Sequence, residues 1–368
     1  MNNIIINRNI SNKVVMTGVY YKDNHPGGIS AVVQYWSDYI ENLQYYPTFK
    51  EGSVISKLFV FSRSYWALKW RLMRDKNVKI LHAHTAAGTD FKRTAMMVDI
   101  AKQRGLKVVL HSHASSFKDF YRDSDEKNKE WIRSVLEKAD ILIALSESWK
   151  EYFMSIGVPE NKIVILHNIT AYPIIKDVVK EEKKVRLLFM GEIGQRKGVF
   201  DLLRAIGTHK DALANKIELR IGGNKMEDKL NATIQEYGIE EFVKFEGFVS
   251  GEKKLELLNW ASVFILPSFN EGLPISILEA MSYKMPIIST PVGGIPEVVD
   301  SSNGTLVMPG DDKQIYDAIS KYVDNKKLLN EQGEESFRKV ETYLPEYVLN
   351  HLKMIYENLL KEGTIYEK

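Results

Sequence analysis

Two glutamates flank a turn whose backbone amides are open to a ligand. Seven residues separate Glu271 from Glu279, and Gly272-Leu273-Pro274 between them predict a turn running into a helix. Proline suits the first helical position, where the helix does not use the missing N–H. Amides at a helix start form the positive end of its dipole, which favours phosphate and sugar oxygens. The turn therefore predicts combined recognition of an anion and of hydroxyl groups.

The surroundings of Glu279 argue that it has a specific partner. Its neighbours at helical spacing, Ile275 and Tyr283, are not basic. A carboxylate among apolar residues needs a partner. The alternative is that both glutamates are solvated surface residues, which is the usual situation of Glu.

A second candidate turn carries two adjacent cations. It follows the predicted strand Val185–Gly191 and precedes a helix predicted to begin near Val199. Lys197 offers a point charge and Arg196 a planar fork, a combination that suits a diphosphate. Taken alone, such a turn is more often a pair of solvated loop cations.

The string PSFNEGLPISILEAM, followed by PIISTPVGGIPE, resembles the signature of retaining GT-B glycosyltransferases of the family-4 kind, also called group 1. These enzymes use nucleotide sugars. The resemblance implies that Glu271 contacts donor-sugar hydroxyls and that Glu279 contacts the ribose. It also implies that the amides of Gly272, Leu273 and Ile275 face the donor sugar and its phosphates.

The same resemblance covers two phosphate-binding loops. Lys197 matches the phosphate-binding lysine of the family's GRxxxxKG turn, whereas Glu192 stands where the family has an arginine. We hypothesise that Arg196 replaces that arginine. A glycine-rich loop of the family that contacts the diphosphate corresponds to Gly28, with Gly27 as the lesser candidate.

The resemblance also places the base and the transferred sugar. It puts the nucleobase near Phe248, on the turn after the predicted strand Val243–Phe245, a placement that fits uridine and guanosine alike. We expect a UDP-sugar as the donor. His113 coincides with a family histidine near the transferred sugar, which implies that it orients the sugar and supports the transition state. His167-Asn168, at another strand end, is a weaker candidate.

Four histidines occur as two alternating pairs at predicted strand ends. His82 and His84 form one pair, and His111 and His113 form the other. Alternate residues of a strand share a face, so each pair points its imidazoles the same way. Buried, hydrogen-bonded structural histidines are expected at His82 and His111. A zinc site is the alternative.

Catalysis in the resembled family needs no metal and no carboxylate nucleophile. Its enzymes are thought to react on one face of the sugar, with the leaving phosphate taking the acceptor proton. We therefore expect no cofactor and no metal, with Arg196 and Lys197 stabilising the diphosphate. A sugar-nucleotide epimerase of the same fold and an inactive nucleotide-sugar-binding protein are the competing interpretations.

Composition fits a globular enzyme of two domains. The 368 residues exceed what one core usually serves, and 44% hydrophobic with 27% charged residues is ordinary globular composition. Cysteine is absent, which excludes disulfides and cysteine metal sites. No signal-peptide or membrane-spanning run is seen, so we expect a soluble or peripheral cytoplasmic protein.

Charge is unevenly divided between the two halves. Residues 1–172 carry 24 Lys+Arg and 17 Asp+Glu, a net +7, while residues 173–368 carry 26 and 31, a net −5. This favours a first half that faces something anionic. The total of +2 is too small to indicate nucleic-acid binding.

Short β-branched runs, such as Val263–Leu266, alternate with amphipathic segments, such as Ile29–Tyr45, along the chain, which predicts parallel sheets covered by helices. The charged stretch Thr170–Lys184 predicts a linker. These patterns predict an α/β fold of two doubly wound domains that hold a ligand between them. The resemblance implies the GT-B arrangement, in which two Rossmann-like domains face a central cleft. It also implies that residues 1–172 form an acceptor-binding domain, that residues 173–343 form a nucleotide-sugar-binding domain, and that the helix in residues 344–368 packs back onto the first domain.

One region of the first half shows two different patterns. Val54–Phe61 is a β-branched run that predicts a strand. Between Arg63 and Lys79, six basic residues and one acid interleave with Tyr65, Trp66 and Trp70. Basic residues mixed with tryptophan on a helix are typical of a segment lying on anionic lipid, and the alternative is a solvated helix with a buried aromatic face. A membrane-bound acceptor would then be a lipid-linked glycan.

Overall fold

The computed structural model describes residues 3–23, 25, 27–113, 115–175 and 184–361. Two compact units divide the chain. The first consists of Met1–Ile169 and the chain from Pro345 onward, and the second is Thr170–Leu344. Most of the predicted linker, residues 176–183, lies outside the described residues.

Each unit contains one six-stranded parallel sheet. The strands of the first are β1 (Val14–Val19), β2 (Tyr45–Phe49), β3 (Ile80–Thr85), β4 (Lys107–Ser112), β5 (Ile141–Ala144) and β6 (Ile163–Ile165). Those of the second are β7 (Val185–Met190), β8 (Ile217–Gly222), β9 (Val243–Phe245), β10 (Val263–Leu266), β11 (Ile287–Ser289) and β12 (Gly304–Leu306).

Helices alternate with these strands in both units. They are α1 (Arg8–Ser11), α2 (Gly28–Ser37), α3 (Val54–Arg74), α4 (Thr89–Gln103), α5 (Phe117–Arg122), α6 (Glu126–Glu137), α7 (Glu147–Ser155), α8 (Val199–Thr208), α9 (Lys210–Leu213), α10 (Glu227–Tyr237), α11 (Gly251–Trp260), α12 (Ile275–Ser282), α13 (Asp312–Asp324), α14 (Lys326–Val340) and α15 (Pro345–Leu360). Among the described residues, no helix combines the length and the apolar character needed to cross a membrane.

Strand order shows where each sheet reverses, which is the point where the next strand in sequence is added on the other side of the first strand. The first sheet runs β2-β1-β3-β4-β5-β6 and reverses between β1 and β3. The second runs β12-β11-β10-β7-β8-β9 and reverses between β7 and β10. The second order is that of dinucleotide-binding folds, which bind ligands beyond the carboxyl ends of the strands at the reversal. The predicted α/β fold with two doubly wound domains is confirmed, and the cleft between them stays a prediction.

The predicted strand at Val54–Phe61 is wrong. The chain forms α3 there, one continuous helix through Arg74, and the Ser53 side chain caps it by accepting a hydrogen bond from the Ser56 amide. No glycine or proline interrupts this stretch, so a helix once started can continue. Local β-branched content was therefore a weaker signal than the cap and the uninterrupted length.

Two edge strands, β2 and β12, were not predicted from the sequence. The predicted helix Ile29–Tyr45 ends at Ser37 in the structure, and β2 follows with Pro47 inside it. A sheet edge tolerates proline because its outer side needs no N–H donor. β12, at the edge of the other sheet, has only three residues.

Candidate functional site

The strand order of the second unit joins two loops that are distant in sequence. β7 and β10 are neighbours, with Leu188 in register with Phe264, so the turns that follow them start side by side. The Phe269 amide donates to the Arg196 carbonyl at 2.8 Å across the two turns. We call residues 191–198 the first loop and residues 267–274 the second loop.

Lys197 and Glu271 form an ion pair between these loops. Lys197 Nζ lies 2.5 Å from Glu271 Oε1, and the Ser268 hydroxyl donates to the same oxygen at 2.8 Å. Glu271 is only 6% exposed. Its other oxygen, Oε2, lies 3.9 Å from Arg196 Nη1, beyond hydrogen-bond length. Glu271 is therefore not a solvated surface residue, and its carboxylate is fixed on one side by neighbours.

Two glycines allow the loops to approach this closely. Gly198 has φ +70°, and a Cβ there would lie 2.0 Å from the Pro267 carbonyl oxygen. Gly293 has φ +57°, and a Cβ there would lie 2.1 Å from the Glu271 carbonyl oxygen. Both the conformation and the space require glycine. The backbone carrying Glu271 is therefore packed from two sides.

The second loop enters α12 one residue later than predicted. Pro274 has φ −66° and ψ 123°, an extended conformation that places it before the helix, and Ile275 is the first helical residue. The predicted first helical position for Pro274 is wrong because its ψ is not helical. Pro274, at the N-cap position, makes no side-chain capping hydrogen bond. Gly272, Leu273 and Ile275 are all buried at this turn.

Glu279 has the partner that its buried position requires. Lys254, on α11, places Nζ 2.7 Å from Glu279 Oε1, and Glu279 is 6% exposed. The partner comes from another helix, 25 residues earlier in the chain. The sequence correctly indicated that Glu279 has no basic neighbour at helical spacing and that its carboxylate needs a partner. Lys254 of α11 is a partner of this kind.

Glu192, which stands where the resembled family has an arginine, forms an ion pair with a lysine. Lys225 Nζ lies 2.7 Å from Glu192 Oε2, with side chains that are 55% and 37% exposed. The Ile193 amide donates to the Asn224 carbonyl at 2.9 Å, which ties the first loop to the turn after β8. The site therefore holds Lys225 close to the position of the missing arginine.

Arg196 and Phe248 are placed differently. Arg196 is adjacent to the ion pair and donates from Nη1 to the Asn270 carbonyl at 3.2 Å. Phe248 follows β9, at the edge of the sheet, and is 47% exposed. The structure thus brings Arg196 to the two loops and leaves Phe248 on a turn two strands away from β7.

Gly27 and Gly28 lie at the start of α2, the helix that follows β1 in the first unit. Gly27 has φ +118°, a conformation that favours glycine, while a Cβ at either position would meet nothing within 4 Å. Gly28 is the first residue of α2. The backbone geometry, and not crowding, therefore favours glycine at position 27.

The four predicted histidines form one cluster in the first unit. His82 Nδ1 lies 2.7 Å from the Tyr356 hydroxyl and its Nε2 lies 3.2 Å from His111 Nδ1. His84 Nδ1 lies 2.9 Å from His113 Nε2. His82, His84 and His111 are fully buried, while His113 keeps partial exposure. The prediction of buried, hydrogen-bonded histidines at His82 and His111 is confirmed.

Burial keeps these imidazoles neutral. It lowers the pKa of His82 and of His113 to about 3, and it holds the pKa of His84 and of His111 well below the usual value of 6.5. Loss of hydration penalises the charged imidazolium, and at His82, His84 and His111 the neighbouring histidines add to the effect. The cluster can therefore exchange hydrogen bonds near neutral pH but cannot supply a positive charge.

Neutral imidazoles are also metal ligands, so the sequence alternative has a geometric basis. One ring nitrogen from each of His82, His84 and His111 can be chosen so that all lie within 4.8 Å of one another. The Nε2 atoms of His84 and His111 are buried and have no hydrogen-bond partner among the described residues. Three imidazoles suit zinc, and the group found among the described residues contains no carboxylate ligand.

Four residues of these sites were not found from the sequence: Lys225, Lys254, Ser268 and Tyr356. Each meets its partner through the tertiary fold, as Tyr356 of α15 does with His82. Ser268 differs from the other three because it is close to its partner in sequence. It lies three residues before Glu271, so the local sequence could have indicated it. The local pattern held no signal for the other three.

Comparison with known proteins identifies the family. The family model "Glycosyl transferases group 1" matches residues 173–339, and "Glycosyltransferase Family 4" matches residues 36–170. A putative colanic acid biosynthesis glycosyltransferase, WcaL of Salmonella typhimurium, is 25% identical over 59% of this chain and 56% of its own length. N-acetyl-alpha-D-glucosaminyl L-malate synthase of Bacillus anthracis is 25% identical over 78% of this chain and 76% of its own length.

The fold comparison agrees with the family match. The crystal structure of Anabaena Alr3699/HepE in complex with UDP and glucose has a TM-score of 0.73 at 14% identity, covering 95% of this chain and 99% of that one. This likeness shows the fold alone. The chain spans about half the length of the first curated relatives that it matches, between 50% and 56%. Because the two family models together extend from residue 36 to residue 339, the chain belongs to the group 1 glycosyltransferases of the family-4 type.

Proposed function

We propose that this protein transfers a sugar from a nucleoside diphosphate sugar, a UDP-sugar, to a saccharide or lipid-linked glycan acceptor, with retention of configuration. The observation that carries the proposal is the Lys197–Glu271 pair at the strand reversal of the second unit. It sets a cation for the diphosphate beside a carboxylate that can accept from sugar hydroxyls. A role in cell-surface polysaccharide synthesis is part of the proposal and is supported by relatives named for polysaccharide biosynthesis, such as WcaL. A cytoplasmic location is proposed with it.

The proposed chemistry follows from charge. The bond between the anomeric carbon and the β-phosphate oxygen breaks, and the diphosphate leaves with its bonding pair. The acceptor oxygen bonds to the anomeric carbon on the same face, and its proton passes to the leaving diphosphate. Lys197 and Arg196 stabilise the charge that develops there, together with amides of the α12 start and of Gly28. No step requires a metal.

The roles of the remaining residues rest on the family resemblance. Glu271 would accept hydrogen bonds from the sugar hydroxyls and Glu279 from the ribose. His113 would orient the transferred sugar as a neutral hydrogen-bonding group, since its pKa is lowered to about 3 by burial. Uridine as the base is favoured by the neighbour solved with UDP and glucose.

Donor binding and donor chemistry test the proposal together. Thermal shifts with UDP-, GDP- and ADP-sugars identify the donor, and incubation with donor alone follows its fate. Slow release of the nucleoside diphosphate supports the transferase. Epimerised nucleotide sugar would indicate an isomerase, and binding without turnover would indicate an inactive binding protein.

Lys197→Met isolates the proposed phosphate contact. We expect a loss of about 100-fold or more in kcat/KM for the donor, the usual cost of one group that stabilises developing charge. Lys339→Met is the matched control, because Lys339 also forms an ion pair in the second unit, with Asp300 at 2.6 Å. Equal activity of the two variants would contradict the proposal.

Metal independence is tested by chelation. We expect EDTA or 1,10-phenanthroline to leave the transfer rate unchanged. A different result would contradict this expectation: chelation lowers the activity, added zinc restores it, and His84→Asn prevents that restoration. Such a result would assign the metal to the histidine cluster.

A further inference from the structure

The helix α3 exposes an unusual apolar stripe to solvent. Ile55 is 80% exposed, Phe59 65%, Trp66 62%, Trp70 53% and Met73 49%. Their spacings of four, seven, four and three residues repeat the helical period, so these side chains lie within roughly 60° of arc on one face. Large apolar side chains scattered singly are normal on a surface, whereas a continuous stripe marks an interaction surface.

The opposite face of α3 already has its partners. Ser64, Leu68 and Leu72 are buried there, and Leu68 and Leu72 belong to the hydrophobic core of the first unit. The stripe is therefore not the face that attaches the helix to its sheet. It is a second apolar face on the same helix.

The charge of α3 specifies the kind of surface that the stripe fits. Val54–Arg74 contains five basic residues and no acidic one. Arg71 pairs with Asp75, while Lys69 Nζ lies 5.0 Å from the centre of the Trp66 ring and Arg74 Cζ lies 4.0 Å from that of Trp70. At helical spacing, Lys69 and Arg63 fall on opposite sides of the stripe. Cations therefore flank the apolar side chains.

We infer that α3 docks the first unit on an anionic lipid surface, lying in the plane of the interface. Tryptophan and phenylalanine would enter the headgroup region while lysine and arginine meet lipid phosphates. A second copy of this chain is disfavoured, because two α3 helices would bring five cations against five. The docking rests on α3 alone. Its consequence, that the acceptor is a lipid-linked glycan at that surface, rests on the proposed function.

Vesicle co-sedimentation of the full chain tests the inference. Vesicles of phosphatidylcholine with phosphatidylglycerol should bind the protein, and vesicles of phosphatidylcholine alone should bind it at least tenfold less. Raising the salt concentration should weaken binding to the anionic vesicles. Equal binding to both vesicles, or no binding to either, would overturn the inference.

Paired variants separate the stripe from its cations. Trp66→Ser with Trp70→Ser should lower the vesicle partition coefficient at least about 10-fold, and Arg63→Glu with Lys69→Glu at least about 20-fold. Met354→Ser, which is 51% exposed on α15, and Lys127→Glu, exposed on α6, are the matched controls and should change it less than twofold. Equal losses in the controls would overturn the assignment to α3, as would stripe-dependent self-association in sedimentation velocity.

Donor binding on the same proteins distinguishes the two proposals. The α3 variants should keep the donor-induced thermal shift, which also shows that they fold. Intact donor binding without vesicle binding in the wild type would overturn the docking and leave the proposed function standing. Vesicle binding without donor binding would overturn the proposed function and leave the docking of α3 standing.

Discussion

The two units place opposite kinds of polar chemistry at the strand ends beside their sheet reversals. In the second unit, β7 and β10 lead into loops that carry Lys197 and Glu271, charged groups held 2.5 Å apart. In the first unit, β3 borders the reversal, and β3 and its neighbour β4 carry histidines near their carboxyl ends that burial keeps neutral. The architecture is alike, so the difference lies in the residues at the strand ends. The second unit is equipped to hold an anion, and the first to exchange hydrogen bonds.

This comparison predicts that acid affects the two units unequally. Each buried histidine has a folded-state pKa below the unfolded value of about 6.5, so the stability it contributes is present above that pH and is lost as the pH falls toward 3. Between pH 7 and pH 5 each of His82, His84 and His111 should lower the free energy of unfolding of the first unit by up to about 2 kcal/mol.

Hydrogen exchange resolved by strand measures this effect. Exchange in β3 and β4 should accelerate at pH 5, well before exchange in β7 and β10. A variant with His84→Asn should show a shallower pH dependence. Simultaneous loss of protection in both units would contradict the contrast drawn between them.

The next largest effect concerns the charged site. Glu271→Gln removes the partner of Lys197 while keeping the shape of the side chain. We expect kcat/KM for the donor to fall about 100-fold, because Lys197 and the sugar hydroxyls both lose a charged acceptor. Glu334→Gln is the control, since Glu334 pairs with Lys284 at 2.9 Å on an exposed surface of the same unit. Similar kinetics for the two variants would show that the buried pair is only structural.

A smaller and more specific effect is expected at Glu279. Lys254→Met leaves a carboxylate that is 6% exposed without its cation, and the free energy of unfolding should fall by about 1–3 kcal/mol. Adding Glu279→Leu should restore stability, because replacing both charges by apolar groups can be nearly neutral. Donor affinity should stay low in the double variant. Recovery of donor affinity along with stability would contradict ribose binding by Glu279.

The smallest effect is expected at the exposed pair Glu192 and Lys225. Such pairs contribute about 0–1 kcal/mol, so neither Glu192→Ala nor Lys225→Ala should change stability much. Donor KM should respond in opposite directions, falling a few-fold when Glu192 is removed and rising a few-fold when Lys225 is removed. Arg196→Ala is the comparison, because Arg196 was the first hypothesis for the missing cation. If only Arg196→Ala raises KM, Lys225 has no part in phosphate binding.

Features of the fold and of the candidate site could be predicted from the sequence when the interacting residues are close together in the chain. Buried strands such as Val263–Leu266 were predicted to the residue because their apolar runs are local signals. Glu271 and Lys197 were each predicted as site residues on a loop that follows a strand, and parallel sheets gather such loops at one edge. Their ion pair with each other was not predicted. Lys254 and Tyr356 could not be predicted, since their partners lie 25 and 274 residues away in sequence. α3 was partly misassigned because one helix carries both a β-branched start and a basic, aromatic end.

The most direct test of the central claim is hydrogen exchange of the protein with and without a UDP-sugar at saturating concentration. The account predicts that protection increases in residues 191–198 and 267–275 of the second unit, and that Lys197→Met removes the increase while Lys339→Met preserves it. Protection confined to other segments, or an unchanged pattern despite measurable binding, would contradict a donor site built on Lys197 and Glu271.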